Sequence, residues 1–330
     1  MAKKPIILVG AKGFWSMKDI VGEAVFKGKF ELLYDEELYI SEARCPYVAA
    51  IVVADQPLGP ELMDRYPNLK TIARTGTGYD NVDIAAARAR KIIVTRVAKL
   101  NAESVSDFAL GLIFALSRGI VQVHENMIRS RWERKAGMLL HEMTIGIIGF
   151  GAIGQSLAQK LRVLGRQQIL FWNRSLYPAV QEAAAGCGAK FVTLHQVMEN
   201  SDIVVVAVAL TDDTRHLINK ELLYRMKPTA FLVNVCRGAV VDEEALADCV
   251  AEGRIAGMAL DVYSVEPPDG SPFDLPHVQK LILCANEGKN VILTPHNAWM
   301  TQNSIRRVSV KVAQNVVSVL EGRTEEAEVV

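Results

Sequence analysis

Short apolar runs rich in β-branched residues alternate with helix-like stretches along almost the whole chain. Residues 5–10 (PIILVG) and 48–54 (VAAIVVA) are two such runs, and Leu69–Ala73 and Ile92–Thr95 have the same character. This alternation predicts a small parallel sheet flanked by helices over about the first 95 residues. A second series follows: Thr144–Ile148, Gln168–Trp172, Ile203–Val208, Phe231–Val235, Ile255–Asp261 and Val291–Thr294 are strand-like, with helical segments between them. Six strands joined by crossovers predict a doubly wound dinucleotide-binding fold. Residues 101–120 start with Asn101 as a candidate N-cap and run apolar nearly all round at helical spacing. A helix of that kind must be covered on most sides, which suits a place between domains or at a subunit interface. The polar stretch Glu125–His141 carries Trp132, and a last helix is expected over Thr301–Leu320.

Length and composition narrow this picture. At 330 residues the chain exceeds the size at which a single core stops growing, so two domains are expected. The 37 basic and 37 acidic residues cancel, and no Lys/Arg block stands out. An electrostatic footprint for nucleic acid or anionic lipid is therefore not expected, and small molecules are the expected partners. The five cysteines are scattered and lack CxxC or Cys/His spacing, which argues against a disulfide framework and for a reducing compartment. No histidine pair has zinc-ligand spacing, so no metal is expected. The opening MAKKPIILVG is too short in apolar residues for a signal peptide, and the longest apolar runs fall far short of the ~20 residues that span a bilayer. A cytoplasmic protein is the expectation.

The chemistry is carried by residues at strand ends. The run TIGIIG leads into Gly149-Phe150-Gly151-Ala152-Ile153-Gly154 and then a helix-like segment, which is G-x-G-x-x-G in its strand-turn-helix context. The three glycines serve a tight turn, approach of a pyrophosphate, and close helix-strand packing. At the end of the next strand, where an NAD enzyme usually places an acid, stand Asn173, Arg174 and Ser175. These suit a 2′-phosphate, so NADP(H) is expected to be preferred over NAD(H). Arg237, Glu266 and His296 each follow a later strand, at the carboxyl edge where ligands bind in such sheets. A planar Arg can contact both carboxylate and carbonyl of a 2-oxo acid, and a His beside a carboxylate suits protonation of the carbonyl oxygen after hydride arrives. Each residue also has a bland reading: Arg237 could pair with Asp242 or Glu243, Glu266 could be a loop charge, and His296 could cap a strand end.

Taken together, ARTGTGYDNVD (73–83), NAESVSDF, GIIGFGAIG, LTDDTRHLI, MKPTAFLVNVCRG, ALDVYSVEP and TPHNAW resemble, in order and spacing, the D-isomer-specific 2-hydroxyacid dehydrogenases, the group of phosphoglycerate dehydrogenase and the glyoxylate/hydroxypyruvate reductases. The resemblance implies an α/β protein of two doubly wound parallel-sheet domains. A flavodoxin-like substrate domain (1–99 and 298–330) and a Rossmann dinucleotide-binding domain (100–297) would have a cleft between them. It implies Arg237 as substrate binder, His296 as acid/base and Glu266 as its partner. It implies further that Thr75, Gly76 and Thr77 meet the substrate carboxylate, that Thr77, Ala152, Ile153, Val208, Val235, Cys236 and Asp261 contact the cofactor, and that the protein is a homodimer. Val105-Ser106-Asp107 replaces the family's usual Val-Ala-Glu, and Ala98 and Ala209 stand where proline is frequent. Formate and phosphite dehydrogenases and dinucleotide-sensing corepressors share the fold and much of the motif set, and are the alternative readings.

Overall fold

The computed structural model describes residues 3–165, 168–267 and 270–330. The chain divides into two units, Met1–Asn101 with Met300–Val330, and Ala102–Trp299.

The first unit holds five parallel strands: β1 (Ile6–Val9), β2 (Glu31–Tyr34), β3 (Val48–Val53), β4 (Thr71–Arg74) and β5 (Ile93–Thr95), in the order β2-β1-β3-β4-β5. Strands β1 and β4 are buried at every position, as expected of parallel strands with helices on both faces. One cover is the helix Gln302–Leu320, which lays Val308, Val312, Ala313 and Val316 on the sheet at helical spacing. The Thr301 side chain caps it by accepting from Ser304 N–H. Strand β2 was not expected from the pattern. It is the sheet edge, half exposed, and its Glu-Leu-Leu-Tyr lacks an apolar run.

The second unit holds seven parallel strands: β6 (Thr144–Ile148), β7 (Gln168–Trp172), β8 (Lys190–Phe191), β9 (Ile203–Val206), β10 (Phe231–Asn234), β11 (Gly257–Leu260) and β12 (Asn290–Leu293), ordered β12-β11-β10-β9-β6-β7-β8. The order reverses beside β6, the Rossmann arrangement, with a switch point after β6 where dinucleotides bind. Both sheets are thus doubly wound. The two-residue edge strand β8 was also unexpected, since both its residues are exposed and leave no hydrophobic signature.

The apolar helix Ala102–Arg118 buries Val105, Ala109, Leu112, Ile113 and Leu116 within its own unit, against the helix Ala152–Leu164 and strands β10 to β12. Phe108, Leu110 and Ala115 on the same helix are only partly buried. The two departures in Val105-Ser106-Asp107 also find partners here. Ser106 Oγ lies 2.8 Å from Ser156 Oγ, and Asp107 Oδ1 lies 2.9 Å from Lys160 Nζ. Both partners sit on the helix that follows the glycine loop. The five cysteines are free and buried.

Candidate active site

The glycine loop is built as its spacing requires. Gly149 has φ +98°, and a Cβ there would stand 2.5 Å from the Ala207 carbonyl oxygen. A Cβ on Gly154 would lie 2.2 Å from the Gly149 oxygen, so the helix could not close on the strand. Gly151 differs, because a Cβ there would meet nothing of the protein within 4 Å. It is the N-cap of the helix Ala152–Leu164, which has no side-chain cap and no acidic residue in its first turn. Unsatisfied N–H groups and the positive helix end thus face open space, an arrangement that fits a pyrophosphate.

At the end of β7, Asn173 Oδ1 accepts from Phe150 N–H at 3.1 Å, and Asn173 Nδ2 donates to the Ser175 carbonyl at 2.7 Å. Its side chain ties the glycine loop to the strand end. Arg174 is largely exposed and pairs with Asp213 at 3.2 Å. Val208 is half-buried, and Val235 and Cys236 are buried. The Cys236 thiol contacts Asn234 Oδ1 at 3.1 Å, and burial pushes it up to about 11.

Three loops of this unit converge on the candidate catalytic residues. After β10, Asn234 folds back on the turn, donating from Nδ2 to the Arg237 carbonyl and accepting Cys236 N–H at Oδ1. The Arg237 guanidinium donates to the Cys236 carbonyl at 2.9 Å. Asp242 is spent capping the next helix, and Glu243 Oε2 accepts from Ser264 Oγ at 2.6 Å and contacts His277 Nε2 at 2.9 Å. The bland pairing of Arg237 with these acids is therefore replaced by other partners.

After β11, Glu266 turns inward: its Oε1 accepts Tyr263 N–H at 2.8 Å and its Oε2 lies 2.7 Å from His296 Nδ1. His296 follows β12 with φ +50°, unusual for a residue with a side chain. Its backbone N–H donates to the Asp261 carbonyl at 2.7 Å. The Asp261 carboxylate collects Thr294 Oγ1 (2.6 Å), Asn297 N–H (2.8 Å) and Ala298 N–H (2.9 Å). Burial pushes the Asp261 carboxyl up, opposed by those donors and by His296. Asp261 is wholly buried and works as the clamp of the His296 turn. Sequence reasoning did not assign Tyr263, Ser264, Glu243 or His277 to this knot. His277 lies in the first turn of the helix Pro276–Asn286.

In the first unit, the loop after β4 holds Thr75, Gly76 and Thr77. The buried Arg74 donates from Nε to the Gly78 carbonyl at 2.8 Å, Val97 N–H donates to the Gly76 carbonyl at 3.1 Å, and Thr77 Oγ1 donates to the Val97 carbonyl at 3.2 Å. Among the described residues no acceptor takes the N–H groups of Gly76, Thr77 and Gly78.

Residues 110–298 match the model of the D-isomer specific 2-hydroxyacid dehydrogenase NAD binding domain. The chain belongs to that family. It is 35% identical over 284 residues to a glyoxylate reductase of Thermococcus kodakarensis, covering 83% of this chain and 80% of the relative. It is 34% identical over 258 residues to a hydroxypyruvate reductase of Thermotoga maritima, covering 78% and 79%. The solved D-lactate dehydrogenase from Aquifex aeolicus, complexed with NAD and lactic acid, superposes with a TM-score of 0.84 at 24% identity, over 97% of each chain, and shares the fold. This D-2-hydroxyacid dehydrogenase is accordingly an oxidoreductase of 2-oxo and D-2-hydroxy acids that uses a nicotinamide dinucleotide.

Proposed function

We propose that this dehydrogenase reduces small 2-oxo acids of the glyoxylate and hydroxypyruvate kind, prefers NADPH, and works as a cytoplasmic homodimer. The observation that carries the catalytic part is the Glu266–His296 pair, with carboxylate and ring nitrogen 2.7 Å apart at the carboxyl edge of the sheet. A bound reduced nicotinamide supplies the hydride. Glu266 holds Nδ1 and so sets the ring's orientation, and His296 Nε2 delivers the proton to the carbonyl oxygen. Arg237 binds the carboxylate and carbonyl of the substrate through its paired N–H donors, and the N–H groups of Gly76, Thr77 and Gly78 receive the carboxylate. The helix end at Ala152 and Ile153, with Gly149, Gly151 and Gly154, holds the pyrophosphate. Thr77, Val208, Val235 and Cys236 line the remainder of the cofactor site, and the buried Asp261 serves it from behind by holding the His296 turn.

The preference for NADPH rests on Arg174, whose exposed guanidinium suits a 2′-phosphate, beside a strand end that carries no acid. Asn173 supports it indirectly by fixing that strand end, and Ser175 supplies a hydroxyl. The dimer rests on the helix Ile120–Ile128, which buries none of its residues and leaves Ile120, Met127 and Ile128 exposed beside Trp132. Such a contiguous apolar surface marks an interaction site.

Steady-state kinetics with glyoxylate, hydroxypyruvate, pyruvate and phenylpyruvate, each with NADPH and NADH, test the proposal. His296→Ala should lower kcat about 100-fold or more, as for a lost general acid, and Arg237→Ala should chiefly raise KM for the 2-oxo acid. Full kcat in His296→Ala would refute the mechanism. A higher kcat/KM with NADH than with NADPH would refute the cofactor preference, and a monomer by light scattering would refute the dimer.

A further inference from the structure

The peptide that follows β5 is gripped from both sides, and each grip uses alternate residues, as the two-residue period of an extended chain allows. On one side, Val97 N–H donates to the Gly76 carbonyl and the Val97 carbonyl accepts from Thr77 Oγ1. The neighbouring Arg96 guanidinium lies 5.4 Å from the centre of the Tyr79 ring. On the other side runs the segment Glu328–Val330, paired antiparallel to β5 through Thr95 and Val329. Arg96 N–H donates to the Glu328 carbonyl at 3.0 Å, and Val330 N–H donates to the Val94 carbonyl at 3.0 Å. The strongest link is a charged one: Glu328 Oε2 accepts Ala98 N–H at 2.7 Å. The other oxygen of that carboxylate is 3.9 Å from Lys311 Nζ on the last helix, and from the same helix Asn315 Nδ2 donates to the Arg96 carbonyl at 3.0 Å.

The donor on which this link depends is the Ala98 backbone N–H. Ala98 stands where its family frequently has proline, and proline has no N–H to give. The segment that carries Glu328 therefore holds, through residues 96–98, the loop that leaves the Gly76, Thr77 and Gly78 N–H groups without an internal acceptor.

The geometry points to Glu328 as a positioning residue for the substrate-carboxylate loop, acting through Ala98 and Val97 and touching neither substrate nor cofactor. This rests on the reading of residues 75–78 as the carboxylate site. Loss of the clamp leaves the dinucleotide-binding unit intact but lets the three N–H groups wander from a common focus, which weakens capture of a small anion.

The test uses the full chain. Glu328→Ala should raise KM for glyoxylate about five- to tenfold, the scale of one lost charge-assisted hydrogen bond at a half-exposed site, with a clearly smaller rise in KM for NADPH, which this loop meets through Thr77 alone. Glu328→Gln, which keeps an acceptor, should recover most of the loss. Ala98→Pro removes the same bond from the other side, so adding Glu328→Ala to it should change KM by less than about twofold if the two act through one contact. Hydrogen exchange should speed up in Glu328→Ala at residues 96 and 98 and at Val97, whose N–H is bonded to the Gly76 carbonyl. Wild-type KM and wild-type exchange in that variant would overturn the proposal. So would an equal rise in KM for glyoxylate and NADPH, which signals general destabilisation. Should the wild-type enzyme reduce none of the 2-oxo acids tested, the functional reading fails, and exchange at Val97, bonded to the Gly76 carbonyl, still decides whether Glu328 orders the loop.

Discussion

Asp261→Asn removes the charge from the clamp of the His296 turn while keeping its size. An amide oxygen placed at Oδ1 can still accept from Thr294 Oγ1 and Asn297 N–H, but the NH2 group then points at Ala298 N–H, 2.9 Å from Oδ2 in the wild type. One hydrogen bond is lost and one buried donor is left facing another, a cost of about 1–3 kcal/mol. The same turn holds His296 at φ +50°, which itself costs about 1–2 kcal/mol and persists only while its surroundings hold it. The variant should therefore melt lower by about 2–4 °C per kcal/mol and lose about 10- to 100-fold in kcat as the imidazole drifts. Calorimetry and steady-state kinetics measure the two effects. The pH dependence carries a sign. Burial raises the Asp261 carboxyl above its ordinary value of 3.8, so only between 3.8 and that raised value does the folded protein keep a proton that the unfolded chain has released. Its contribution to stability is full below about 3.8, falls as pH rises through the folded value, and is constant above it. Asn does not titrate, so the stability gap between wild type and variant should narrow as pH rises from about 4. Wild-type kcat and melting temperature in Asp261→Asn would refute the clamp, and a gap that widens with pH would refute the upward shift of the carboxyl.

Two further outcomes follow from close packing in the same unit. A Cβ on Gly238 would stand 2.0 Å from the Tyr263 carbonyl carbon and 2.2 Å from Ser264 N, backbone atoms of the loop that carries Glu266. Gly238→Ala should then cost about 3 kcal/mol or more and abolish measurable turnover, and retained kcat/KM would show that the two loops yield freely. Burial pushes the Cys236 and Cys249 thiols up to about 11 each, so iodoacetamide at pH 8 should modify neither in the folded enzyme. Stoichiometric alkylation of either, read by mass spectrometry, would contradict that burial.

Much of this was legible along the chain. The parallel strands of both sheets were announced by apolar runs because they are covered on both faces, and G-x-G-x-x-G in strand-turn-helix context marked the nucleotide switch point. The edge strands β2 and β8 were silent because half-exposed backbone pairing needs no apolar run. The apolar helix Ala102–Arg118 was recognised, but its partners within the unit were not, since a pattern states how much must be covered and not by what. Arg237, Glu266 and His296 were visible as strand-end residues of suitable chemistry. Apart from the Glu266–His296 pairing that the family resemblance implied, their partners were not, because these depend on contacts between residues far apart in the chain. The resemblance had paired Glu266 with His296, and the structure closes that contact across 30 positions; tertiary structure alone committed Asp261 to the turn that holds His296 and gave Glu243 to Ser264 and His277 rather than to Arg237. Local sequence determined the elements and the chemistry offered at their ends, through periodicity and backbone preference. Which of those ends meet was decided by strand order, a property of the whole sheet.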